Sequence, residues 1–71
     1  MTIKLTPDSS KIHSIGYDKE RQTFEIVYKN MAKYHYYEVP EELWQQSQSA
    51  ESIGKFCAAH VKPHPYKLIS K

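Results

Sequence analysis

The sequence contains a single cysteine, Cys57, so it forms no internal disulfide. A secreted domain this small usually needs disulfide or metal staples, so one lone thiol favours a reducing compartment and a cytoplasmic location is expected. No apolar run approaches the roughly 20 residues that a membrane-spanning helix requires, and no membrane partner is expected. The opening Met1-Thr2-Ile3-Lys4-Leu5 lacks the continuous apolar segment of a signal peptide. Excess charge is also scarce: ten Lys and Arg against eight Asp and Glu leave +2. That balance admits nucleic acid as a partner without requiring it, since an electrostatic footprint needs a clearer basic excess. Length sets the hardest limit. Seventy-one residues make one domain, and such a chain buries only about 60% of its unfolded surface. A multidomain enzyme is excluded, and a deep, enclosed active site is disfavoured. What the chain does have is tyrosine, six residues against two Phe and one Trp.

Along the chain, Thr6-Pro7-Asp8-Ser9-Ser10 reads as a turn, because its short polar side chains hydrogen-bond nearby backbone. Ile12 to Tyr17 is a short strand whose Gly16 marks a bulge, and the charged Asp18 to Gln22 is an exposed turn. Thr23 to Lys29 alternates cleanly, with Phe24, Ile26 and Tyr28 on one face, as a half-buried strand does. Lys29-Asn30-Met31-Ala32 is a hairpin candidate in which Asn30 takes the left-handed conformation. Lys33 to Val39 is the third strand: Tyr34 and Tyr36 share one face, His35, Tyr37 and Val39 the other. Pro40 stops it and opens a short helix, with Glu41 and Glu42 at the positive end of the dipole and Leu43 and Trp44 as its apolar contact. A second helix begins near Ser49 or Ala50 and ends at Pro63. Its residues Ile53, Phe56, Cys57, His60 and Val61 follow the spacing of one buried stripe. Gly54 interrupts that helix at about 1 kcal/mol relative to Ala, unless a neighbour comes very close. Tyr66, Leu68 and Ile69 are placed to dock the tail back. The expected architecture is α+β: a three-stranded antiparallel meander followed by two short helices packed on one face.

The order Ser9-Ser10, Ile12, Ile15, Tyr17-Asp18, Phe24-x-Ile26-x-Tyr28, Tyr34-x-Tyr36, Val39-Pro40 and Ala50-x-Ser52-x-Gly54-Lys55-Phe56 resembles the KTSC domain. That small module is named after the C-terminus of some lysyl-tRNA synthetases and also occurs as free-standing bacterial proteins. The resemblance runs from about Ser9 to Tyr66. It departs from the family at the hairpin, where glycine is usual and this chain has Asn30-Met31-Ala32. It implies a fold and a suggested role in RNA binding, and it supplies no catalytic residue.

Four groups of residues bear on function. Tyr34 and Tyr36, with Tyr28, form either a stacking platform for bases, met by Lys29 and Lys33 at the hairpin, or a cover for the helices. In the second case His35 and Tyr37 become the exposed candidates. Ser49, Ser52, Gly54 and Lys55 form either an anion site at a helix start or a simple cap by Ser49 with Lys55 in solvent. The Gly-x4-Gly-Lys spacing of a phosphate loop is missing. Cys57, His60 and His64 have only superficial zinc spacing: a fourth ligand is distant, Pro63 intervenes, and burial on the apolar stripe explains Cys57 and His60 better. The basic tail of His60, Lys62, His64, Lys67 and Lys71 around Tyr66 suits a nucleic-acid backbone or an ordinary solvated end. No cofactor, metal or catalytic residue is expected. The chain reads as a non-catalytic binding module for RNA or another nucleic acid, through Tyr34, Tyr36, Tyr37, His35, Lys29, Lys33 and Lys62. The alternative is an adaptor or small inhibitor docking on a larger cytosolic complex, because rings are also enriched in protein interfaces.

Overall fold

In the computed structural model, which describes residues 1–7 and 9–70, five strands form one antiparallel sheet in chain order. The strands are β1 (Thr2–Leu5), β2 (Ile12–Asp18), β3 (Thr23–Tyr28), β4 (Lys33–Tyr36) and β5 (Tyr66–Ser70). Between β4 and β5 lie α1 (Glu41–Gln48) and α2 (Ile53–Phe56), the latter running on through a π-helical turn, Cys57–Val61. The α+β class and two helices agree with the sequence reading; the three-stranded meander does not. Two edge strands were hidden by brevity. β1 has only four residues, two polar–apolar pairs, and β5 follows Pro63 and Pro65, which read as the start of a tail. The solvated C-terminus is therefore a strand paired to β4, although Lys71 lies outside the described residues. So does Asp8 of the first turn, which Thr6 and Ser9 close: Thr6 Oγ1 donates to the Ile12 carbonyl at 2.8 Å, and Ile12 N–H donates to Ser9 Oγ at 3.0 Å.

Strand period assigns the faces. In register, Thr2, Tyr17, Phe24, Tyr36 and Tyr66 form one row across all five strands; Lys4, Ile15, Ile26, Tyr34 and Leu68 form the next. Both rows lie on the helix side. Trp44 of α1 stacks on Tyr17 (centroids 5.8 Å) and meets Phe24 edge-on (5.5 Å). Cys57 and Val61 close the core with Ile12, Ile15, Ile26 and Val39. Burying each large apolar side chain contributes about 1.5–3 kcal/mol. Among the described residues, no helix covers the opposite face. It carries Ile3, Gly16, Glu25, His35 and Lys67 in one row and Leu5, Ser14, Val27, Lys33 and Ser70 in the next.

Several local expectations change. The third strand stops at Tyr36 rather than Val39, because Glu38 has a φ of 59° and turns the chain. Val39 is thereby buried in the core, where its carbonyl accepts a 2.6 Å hydrogen bond from Tyr17 Oη. Pro40 is the N-cap of α1, one residue outside the helix. The second helix starts at Ile53 and is capped by Ser52, whose Oγ accepts from Lys55 N–H at 3.3 Å. Ser49 instead closes the C-terminus of α1, its Oγ donating to the Gln46 carbonyl at 3.3 Å. The hairpin's left-handed residue is Met31 (φ 73°), not Asn30. Asn30 stabilises the turn through its side chain, its Oδ1 accepting from Ala32 N–H at 3.0 Å. His60 is exposed against the Phe56 ring (4.8 Å) rather than buried on the stripe, since the wider π-helical turn carries it off the core face.

Candidate functional site

The helices cover β2 and β3 more fully than β4 and β5, so the aromatic row passes from core into solvent. Tyr36 is 5% exposed and Tyr66 63%. Around them the rings make a continuous cluster: Tyr36–Tyr66 at 5.6 Å, Tyr34–Tyr66 at 6.1 Å, Tyr34–Tyr36 at 6.4 Å and Tyr28–Tyr34 edge-on at 5.7 Å. Each spacing lies in the range of favourable offset or edge contacts. A cleft of about 500 Å³ opens over this cluster, lined by Tyr28, Asn30, Ala32, Tyr34, Tyr36, Lys62 and Tyr66. The chain reaches it from three sides: the sheet supplies the rings, the β3–β4 turn supplies Asn30 and Ala32, and the end of the π-helical turn supplies Lys62.

The floor of the cleft is polar but uncharged. Burial, and then the neighbouring Tyr28 phenol, push the Tyr36 phenol far above its usual range. Burial raises Tyr28 as well. Both hydroxyls stay protonated at neutral pH and are engaged with each other. Positive charge stands at the rim, on Lys62. The site can hold a flat, unsaturated ring and place a cation beside an anionic group attached to it.

Of the residues proposed from sequence, the structure brings together Tyr28, Tyr34, Tyr36, Lys62 and Tyr66. Lys33 and His35 lie on the helix-free face, where His35 Nε2 and Glu25 Oε2 stand 2.8 Å apart. Tyr37 is half-buried beyond the end of β4, its N–H donating to the Pro65 carbonyl at 2.7 Å. Lys29 is exposed in the turn beside Asn30. The serine–lysine group does not converge. Ser52 and Gly54 line a second cleft of about 450 Å³ together with Lys4, Lys11 and Gln48, whereas Ser49 and Lys55 do not. Cys57 is buried in the core, where burial pushes its thiol up to about 12. Among the described residues, no group of three or more His, Cys, Asp or Glu side chains is placed to hold a metal. Likewise, no helix there is long and apolar enough to cross a membrane. Sequence reasoning placed Tyr66 in the basic tail, apart from the Tyr34 and Tyr36 cluster it joins, and missed Asn30 as a site residue. The alternation Tyr66-Lys67-Leu68 was the available signal for the first; nothing local distinguishes the second.

The KTSC domain model matches residues 8–66. The chain belongs to the KTSC domain family. A KTSC domain protein from Yersinia pestis of known crystal structure superimposes with a TM-score of 0.85 at 34% identity, covering 97% of this chain and 100% of that one. A Tsukamurella paurometabola protein is 41% identical over 56 residues, 79% of this chain and 84% of its own. An uncharacterized protein of Stutzerimonas stutzeri is 37% identical over 64 residues, 90% of each. The resemblance read from Ser9 to Tyr66 thus coincides closely with the matched span. The KTSC match covers every element of the site except part of β5 beyond Tyr66.

Proposed function

We propose that this KTSC domain is a non-catalytic binding module that takes single-stranded nucleic acid, RNA foremost, on the tyrosine cleft. The observation that carries the reading is the half-open aromatic row: rings anchored in the core at one end and offered to solvent at the other, with Lys62 at the rim. Every base presents a π-face, and stacking on such a ring contributes about 1–3 kcal/mol per base. A volume of about 500 Å³ is within the range of small-ligand sites. Lys62 lines the cleft and Lys29 is exposed in the turn beside Asn30, where a phosphate backbone would run, whereas Lys67 points to the helix-free face.

The test is fluorescence anisotropy with labelled single strands at increasing salt. Tyr66→Ala removes an exposed ring without opening the core, and is expected to weaken binding by about 1–3 kcal/mol. Two lysine–phosphate contacts predict a log–log salt slope of about −1.4 for a single strand. Absence of binding at low salt, or a Tyr66→Ala variant that binds unchanged, overturns the reading.

A second reading is favoured by one observation. On the helix-free face, Met1, Ile3 and Leu5 are each more than half exposed, an apolar edge suited to a protein partner. Pull-down with and without nuclease separates the two: partners that survive nuclease support the adaptor, and partners that vanish support nucleic acid.

A further inference from the structure

We infer that the tyrosine cleft discriminates between bases, preferring those that carry a carbonyl at the position where adenine and cytosine carry an amino group. The inference rests on the nucleic-acid reading of the same cleft. Its basis is the way Asn30 is used. A free asparagine amide offers an acceptor and a donor side by side, and so pairs bidentately with adenine, accepting from its amino group and donating to its ring nitrogen. In this chain Asn30 Oδ1 is turned back onto its own hairpin, where it accepts from Ala32 N–H at 3.0 Å. That bond also fixes the amide's orientation, because only the oxygen can accept from a backbone N–H. With the oxygen engaged there, the amide group left free on Asn30, a residue that lines the cleft, is the Nδ2 amine, a pure donor.

A base stacked on the Tyr66 and Tyr34 rings within this cleft would bring its edge toward that donor. Uracil O4 and guanine O6 accept from it. The amino groups of cytosine and adenine at the matching positions meet donor with donor, which leaves both hydrogens unpaired as water is displaced. The backbone of the turn reinforces the asymmetry: Tyr28 N–H and Met31 N–H are already bonded within the hairpin, to Ala32 and Tyr28 carbonyls at 2.9 Å each. Neither therefore supplies a competing contact.

The experiment uses the full chain and eight-nucleotide strands of cytidine that differ in one central nucleotide: uridine, inosine or adenosine. Inosine and adenosine share a purine frame and differ at the position in question by carbonyl against amine, so ring size and stacking are held nearly constant. The inosine strand is expected to bind about three- to tenfold more tightly than the adenosine strand, the effect of one neutral hydrogen bond, and uridine is expected to side with inosine. Asn30→Asp keeps the Oδ1 contact to Ala32 N–H but replaces the amine by a second acceptor. Its added negative charge lowers affinity for every strand, so the readout is the inosine-to-adenosine ratio within the variant, which is expected to fall below that of the wild type or to invert. Equal binding of the inosine and adenosine strands, or a ratio that Asn30→Asp leaves unchanged, overturns the inference while the nucleic-acid reading stands. Failure of every strand to bind at low salt overturns the nucleic-acid reading itself.

Discussion

Single residues carry more of this fold than their number suggests, because so few are fully enclosed. Met31 illustrates the strain. Its φ of 73° is a left-handed conformation that costs an L-residue roughly 1–2 kcal/mol, and its side chain is exposed and compensates little. Met31→Gly removes the clash with Cβ but adds freedom to the unfolded chain. A net gain of about 0.5–1 kcal/mol is expected, seen as a higher urea midpoint with unchanged slope. The opposite case is Tyr17, whose hydroxyl donates to the buried Val39 carbonyl at 2.6 Å. Tyr17→Phe leaves that carbonyl without its partner, and a loss of about 1–3 kcal/mol is expected in the same measurement. Both effects trace to residues whose role was not legible beforehand. Asn30 had the composition of a left-handed residue, yet one position further on takes the conformation, since Asn30 is more useful as the acceptor that ties the turn.

Elements whose pattern has a clean period were legible, and those whose pattern is short were not. Phe24-x-Ile26-x-Tyr28 and Tyr34-x-Tyr36 declare two strands and a shared face, and the structure puts all five side chains there. β1 and β5 need partners from far along the chain before their four or five residues mean anything, which no local window contains. The cleft was half legible for that reason: its two β4 tyrosines come from a readable strand, while Tyr66 arrives on an unreadable one. The second helix shows a different limit. Its start depends on which of two serines caps it, and Ser52 does so because Ile53 then faces the core cluster. Gly54 follows in the first turn, and a Cβ built there meets no atom within 4 Å. No neighbour requires glycine at that point. Gly54→Ala is therefore expected to stabilise the domain by up to about 1 kcal/mol, raising Tm by roughly 4–8 °C. An unchanged or lowered Tm would show that the backbone there needs more freedom than the helix form implies.

The whole molecule titrates in one direction at alkaline pH. Burial raises the Cys57 thiol from 9.0 to about 12, and raises Tyr17, Tyr28 and Tyr36 above 10.0. Each of these groups is neutral when protonated, so the folded state holds its proton more firmly than the unfolded state. Their contribution is complete below about pH 9, where even the unfolded thiol is protonated. It is lost progressively as pH climbs from 9 toward 12. Urea midpoints are expected to fall across that window, and Cys57→Ala should flatten the early part of the decline. In the folded protein at pH 8 the same thiol should resist alkylation until the urea transition, since only unfolding exposes it. The final consequence concerns the ends of the chain. β1 and β5 occupy opposite edges of the sheet, and the register sets Thr2 in the row of Tyr66 but Ser70 in the row of Leu5. The described chain thus enters at one corner and leaves at the diagonal one, with four strand spacings, about 19 Å, between the edges. Sequence joined before Thr2 and after Ser70 would depart from opposite corners of the sheet. In a longer protein, this domain would hold its neighbours apart like a rigid spacer, and a short linker joining its own ends in a circular permutant would have to cross the whole sheet.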